Sequence, residues 1–189
     1  MSTGLIYQLY NDTRTVYTLQ EIAMLLDEPD AQKLKQRLNY YIRTNKLINP
    51  RKGIYSKKNY SVEELACKVY KPSYISLEYI LQKSGVVFQY DTRITNISYL
   101  SRTIAIGENI FVYRKIKNDI LLNSKGIVLH DNGISMATPE RAFLDTLYLN
   151  KEYFFDTLHN LDKEQIFRIV PIFQSVHLEK RVHKLLKNA

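Results

Sequence analysis

The stretch Asp30-Ala31-Gln32-Lys33-Leu34-Lys35-Gln36-Arg37-Leu38-Asn39-Tyr40-Tyr41-Ile42-Arg43 decides how the first third of the chain folds. Ala31, Leu34, Leu38, Tyr41 and Ile42 recur at intervals of three and four, the period of a helix with one buried face. Lys33, Gln36, Arg37, Tyr40 and Arg43 fall on the opposite side. Asp30, just after a proline, supplies a capping oxygen, and the spacing predicts a helix over 31–46.

Upstream, Leu5, Ile6 and Leu9 predict a first helix over 4–10, and Thr15 to Tyr17 a short strand. Thr18 with Glu21 has the spacing of a capping box, opening a second helix that runs to about Asp27. Glu28-Pro29-Asp30 then turns the chain. Downstream, Leu47-Ile48-Asn49 and Ile54-Tyr55-Ser56-Lys57 predict two strands joined by a turn at Pro50-Arg51-Lys52-Gly53. Helix, strand, helix, turn, helix and basic hairpin is the order of a winged helix-turn-helix.

Charge points the same way. The chain carries a net charge of +8 over 189 residues. Residues 31–60 hold nine Lys or Arg and no Asp or Glu, whereas the rest of the chain is close to neutral. A positive field confined to one segment implies a polyanionic partner, most simply double-stranded DNA. The candidate DNA contacts are Lys33, Gln36, Arg37, Tyr40 and Arg43 on the helix, with Arg51, Lys52, Tyr55 and Lys57 on the wing. Arg pairs with guanine and Gln with adenine, and Lys or Tyr suits phosphate.

After residue 60 the character changes. Ser61-Val62-Glu63-Glu64 has the spacing of a second capping box, and short helices are expected over 62–68 and 76–83, ending at Gly85. Strands follow over 94–100, 103–106, 109–116, 120–122 and 127–130, with a hairpin turn at Gly107-Glu108. Thr138-Pro139-Glu140 opens a helix that buries Ala142, Phe143, Leu144 and Leu147. Helices over 151–160, 163–170 and 173–187 complete the chain, the last amphipathic with a basic outer side.

Catalytic patterns are missing from the sequence. The six glycines are too dispersed for a phosphate-binding loop, and no GxSxG or HExxH occurs. One cysteine, Cys67, cannot build a zinc site, and the four histidines do not pair at helical spacing. No catalytic residue, metal ligand or cofactor is assigned. No apolar run reaches the ~20 residues of a membrane span, and MSTGLIYQLYND lacks the features of a signal peptide, so a cytoplasmic protein is expected.

The segment Ile134-Ser135-Met136-Ala137-Thr138-Pro139-Glu140-Arg141-Ala142-Phe143-Leu144-Asp145 resembles the AbiEi-type antitoxins of type IV toxin–antitoxin systems, whose second domain carries a V-x-x-P-E-R-x-L-L-D-like stretch entering a helix. The resemblance extends over about residues 14–150. It includes Gly53-Ile54-Tyr55 at the hairpin and Tyr74 to Leu81, closed by Gly85, in the place of a family helix. It implies an autorepressor that binds repeats in its own promoter; one winged helix on one short site binds weakly, so two copies on repeated half-sites are expected. It also implies an antitoxin, neutralising through its C-terminal part a nucleotidyltransferase-like toxin in a phage-defence system. In the P-E-R stretch itself, Thr138 caps, Glu140 complements the helix dipole, and Arg141 with Asp145 forms an i,i+4 ion pair.

The expected fold class is therefore α+β: an N-terminal winged helix-turn-helix over 1–60, then an antitoxin-like domain over 61–189 with an antiparallel sheet and C-terminal helices. A protein-interaction module with incidental DNA contact, and a restriction-like nuclease, are the alternative readings.

Overall fold

A computed structural model describes residues 4–187 as a mixed α+β chain. It divides into two compact units. The first holds the chain up to Tyr70 together with Asp131–Ile134; the second holds Lys71–His130 and the chain from Ser135. The first unit thus runs ten residues past the boundary expected at residue 60.

In the first unit, α1 (Leu5–Asn11), β1 (Val16–Thr18), α2 (Leu19–Leu26), α3 (Ala31–Arg43), β2 (Ile48–Arg51), β3 (Ile54–Ser56) and α4 (Val62–Val69) follow in order. The three strands form one antiparallel sheet in the order β1-β3-β2. Local signals set most of these boundaries. Thr18 accepts from the Glu21 amide at 3.2 Å while the Glu21 carboxylate accepts from the Thr18 amide at 2.8 Å, a reciprocal capping box. Asp30 accepts from the amides of Gln32 and Lys33 and starts α3.

The end of α3 comes three residues before the expected 46. Asn45 takes a left-handed conformation (φ +55°), its amide bonds to the Ile42 carbonyl, and the Lys46 amide bonds to the Tyr41 carbonyl at 2.8 Å. This is a Schellman stop, built on one of the few non-glycine residues that tolerate positive φ. Just past this stop the Leu47 amide also bonds to the Tyr41 carbonyl, and Leu47 is buried in a core with Leu5, Leu9, Tyr17, Ile22, Leu34, Leu38 and Tyr55.

Pro50 and Arg51, expected in the turn, lie in β2, so the turn itself is Lys52-Gly53. The register shifts between Ile48 and Arg51. β2 is an edge strand, where a proline without an amide hydrogen is tolerated, and Gly53 supplies the positive φ (+82°) that the turn needs. The Asn49 side chain donates to the carbonyls of Arg51 and Ile54 and braces the irregular segment.

α4 joins this unit through a buried carboxylate. Ser61 caps α4 through the Glu64 amide, as expected, but Glu64 does not return a bond to the cap. Its carboxylate accepts instead from the amides of Thr15 (2.6 Å) and Val16 (2.9 Å), and Thr15 Oγ1 accepts from the Ser61 amide. Glu64 also accepts from the Asn132 amide group, which ties in 131–134. Lys68, nearly buried, bonds Glu21 at 2.5 Å.

The second unit contains a six-stranded sheet in the order β6-β7-β5-β4-β9-β8. Its strands are β4 (Ser73–Ile75), β5 (Ile94–Ser98), β6 (Arg102–Ile106), β7 (Asn109–Lys115), β8 (Ile127–Leu129) and β9 (Ser135–Ala137). The sheet is mixed rather than antiparallel: β5 runs parallel to β7, and β4 parallel to β9. Three-residue β4 and β9 are not visible as strands in the sequence, yet β4 joins the two halves of the sheet.

Helices α5 (Glu78–Lys83), α6 (Asn118–Leu121), α7 (Pro139–Leu149), α8 (Lys163–Ile169) and α9 (Val176–Lys187) complete this unit. Residues 120–122, expected as a strand, belong to or follow the single helical turn of α6. Residues 151–160, expected as a helix, form a loop. Its backbone is drawn onto the segment after α5: the amides of Asp156 and Thr157 bond to the Val86 carbonyl, Asp156 accepts from the Phe88 amide, and Asn160 donates to the carbonyls of Ser84 and Gly85. Before α9, Val170–Phe173 forms a 3₁₀ turn around Pro171, and α9 starts at Val176 with the Ser175 hydroxyl accepting from the Leu178 amide. No helix among the described residues is long and apolar enough to cross a membrane.

Candidate nucleic-acid interface

α3 buries Leu34 and Leu38 completely and presents its remaining surface as two flanks and a crest. On the flank towards the turn that precedes it stand Lys33 and Arg37. Both meet Glu28, at 3.6 Å and 3.2 Å. The local positive charge is therefore partly compensated by an acid three residues outside the basic run.

The opposite flank faces the hairpin across a groove of about 430 Å³, lined by Lys35 and Asn39 from the helix and by Asn49 and Lys52 from β2 and its turn. Along the crest, Gln36, Asn39 and Arg43 line a second groove of similar size. Gln36, Asn39, Tyr40, Arg43 and Lys52 are exposed. Tyr40 stands edge-to-face with Tyr41, the two ring centres 5.4 Å apart, which holds its ring in place while half of it remains in solvent. Among the described residues, the side chains of Lys35, Gln36, Asn39, Arg43 and Lys52 have no hydrogen-bonding or ionic partner.

The wing candidates divide sharply. Lys52, at the tip, projects into solvent. Arg51 is half-buried, with its guanidinium over the Tyr70 ring at 5.4 Å and one N–H directed at the Tyr70 hydroxyl. Lys57 is not available in the way expected: its ammonium donates to the Asp12 carbonyl at 2.6 Å and lies near the Tyr10 carbonyl, closing the C-terminal end of α1. Tyr55 is a core residue, 7% exposed and opposite Tyr17 in the β1–β3 ladder, and burial raises its hydroxyl pKa. All three residues of β3 are buried, and Tyr55 packs into the core while reaching the floor of the groove between Lys35, Asn39 and Lys52, which a basic segment of sequence does not reveal.

Sequence reasoning missed Lys35 and Asn39 as candidates because both sit beside apolar positions on a helical projection. The signal that could have found them is the hairpin: its packing beside α3 turns the helix flank nearest to it into part of the same surface.

The segment Thr138 to Asp145 has a different character. Arg141 and Asp145 are both fully buried. All five guanidinium N–H groups are used. Nε donates to Asp145 Oδ1 (3.1 Å), Nη1 to the Lys125 (2.8 Å) and Asn123 (3.4 Å) carbonyls, and Nη2 to Tyr74 Oη and the Ile120 carbonyl, both at 2.8 Å. Asp145 Oδ2 accepts from Tyr74 Oη and Ser76 Oγ. Desolvation pushes the Asp145 carboxyl above its ordinary range, against the pull of Arg141, Ser76 and Tyr74. The i,i+4 pair of the sequence is thus the centre of a buried network that fastens α7, β4, α6 and the loop before β8.

In the same unit a cavity of about 580 Å³ is lined by Tyr148, Lys151, Ser175, His177, Lys180 and Arg181, the basic side of α9. Arg181 donates to the carbonyls of Asn150 and Lys151. Among the described residues no three His, Cys, Asp or Glu side chains gather where they could hold a metal ion. The chain matches no family model and no curated protein.

Proposed function

We propose that the chain is a DNA-binding transcriptional regulator whose first unit acts as a winged helix-turn-helix. α3 is its recognition helix and the Lys52 turn its wing tip. The observation that carries this reading is the convergence of Lys35, Asn39 and Lys52 on one groove, beside a crest of Gln36, Asn39 and Arg43, in a segment of nine cations and no acid. A surface of that kind meets the phosphates of a duplex with its lysines and base edges with its amides and guanidinium. Lys33 and Arg37 add longer-range attraction, moderated by Glu28.

The proposal extends to an autorepressor antitoxin paired with a nucleotidyltransferase-like toxin. That half rests on the resemblance of residues 134–145 and of the order of elements before them. The buried state of Arg141 and Asp145 makes the P-E-R stretch a framework element, so contact with a toxin would fall to exposed residues of the second unit.

The test is fluorescence anisotropy on a duplex taken from upstream of the protein's own coding sequence, against a shuffled duplex. The Lys35→Glu/Arg43→Glu variant, changed only at exposed positions, should lose binding by at least about a hundredfold while keeping its circular dichroism. Retained binding would remove α3 from the interface. Lys52→Ala should lower the slope of log K against log salt by roughly 0.9; an unchanged slope would take the hairpin out of contact.

A further inference from the structure

Resting on the DNA-binding reading above, we infer that α3 selects a short mixed operator core: A·T pairs opposite Gln36 and Asn39, then a G·C pair opposite Arg43, within four base pairs. The basis is which side chains are already engaged and which are not. Arg37 is hydrogen-bonded to Glu28, which also lies 3.6 Å from the exposed Lys33 ammonium, Arg51 sits over Tyr70, and Lys57 donates to backbone carbonyls, so these cations act chiefly as sources of field. Gln36, Asn39 and Arg43 are exposed, lack partners among the described residues and line one groove.

Their chemistry is specific. A carboxamide offers one donor and one acceptor side by side and matches the N6 and N7 edge of adenine. A guanidinium offers two donors and matches O6 and N7 of guanine. Their spacing is also specific. Seven residues at 1.5 Å rise separate Gln36 from Arg43 by about 10 Å, roughly three base-pair steps of 3.4 Å. Asn39 stands about 4.5 Å along that line, close to one step from Gln36. The order along the duplex axis is therefore adenine, adenine, then guanine about two steps on, with either strand carrying each purine.

The experiment is selection of a randomised duplex library by the full chain, followed by affinity measurements on single-base variants of the winning site. The expected outcome is an enriched core with two A·T pairs and a G·C pair in that order. Arg43→Ala should abolish discrimination at the G·C position alone, a loss of about 5- to 150-fold for the preferred base. Asn39→Ala should do the same at one A·T position. Both residues are exposed, and circular dichroism checks that the variants fold. Salt-dependent binding with no enriched core would overturn this inference and leave the DNA-binding reading standing. A core in which Arg43→Ala relaxes an A·T position would also overturn it. Failure to bind any duplex would overturn both.

Discussion

Replacing Arg141 by methionine isolates what the buried network contributes. Methionine is unbranched and fills much of the same volume, so the change is mainly one of charge and hydrogen bonding. It leaves the fully buried Asp145 without its cation, and it strips the carbonyls of Ile120 and Lys125 of donors at 2.8 Å. Breaking a buried pair by removing one partner costs about 3–5 kcal/mol. At roughly 3–5 °C per kcal/mol for a unit of this size, the second unit should melt about 10–25 °C lower. Near-ultraviolet circular dichroism of the tyrosines, with amide exchange of α3 as a reference for the first unit, reads the change.

Two further measurements separate the cause. Asp145 already has its carboxyl pKa raised by burial, and losing Arg141 raises it more. A raised folded-state pKa gives stability that is present in acid and lost as pH climbs through it. The deficit of Arg141→Met should therefore shrink as pH falls from 8 towards the ordinary carboxylate range. Adding Asp145→Leu removes the stranded charge and should recover part of the loss, but not all, because the carbonyls remain unpaired. A single variant melting within about 3 °C of the parent, or a double variant less stable than the single one, would refute this account of the network.

Glu28→Gln should raise duplex affinity several-fold, because it removes the acid beside Lys33 and Arg37, while changing stability by about 1 kcal/mol, since both pairs are only partly buried; unchanged affinity by anisotropy would place that flank outside the interface. Gly126→Ala should destabilise the second unit by about 2–4 kcal/mol in urea unfolding, since its φ is +73° and a Cβ would sit 2.8 Å from both Arg141 Cβ and Ile169 Cδ1. Arg14, bonded to Asp12, holds its carboxyl below the ordinary range, so this pair stabilises above that range and is lost as pH falls through the lowered value. Asp12→Asn should flatten the acid limb of a urea-midpoint profile between pH 5 and 2, and a profile parallel to the parent's would count against the pair.

Part of the chain was legible without coordinates because its signals are local. The Thr18–Glu21 box, the Asp30 cap and the Thr138-Pro139 start each involve groups within three residues, and each appears where the spacing placed it. The Asn45 stop was equally local, yet the basic and polar residues around it keep the helical period going to Lys46 and hide it. Local periodicity failed where distant backbone competes for hydrogen bonds. Residues 151–160 give up a helix because Val86, Phe88, Ser84 and Gly85 offer partners more than sixty residues away. β4 and β9 exist only because neighbours in the sheet complete their ladders.

The candidate interface divides in the same way. By itself the sequence determined that residues 31–60 carry cations without acids, and that one helix buries Leu34 and Leu38 while exposing Gln36, Tyr40 and Arg43. Both follow from composition and a 3.6-residue period. Tertiary structure alone decided which of those side chains are available. Strand register sent Tyr55 into the core, a helix end captured Lys57, Glu28 took Lys33 and Arg37, and the hairpin brought Lys52 opposite Lys35 and Asn39. The physical reason is that a side chain's chemistry is written in its identity, whereas its freedom to act depends on which groups distant in sequence reach it first.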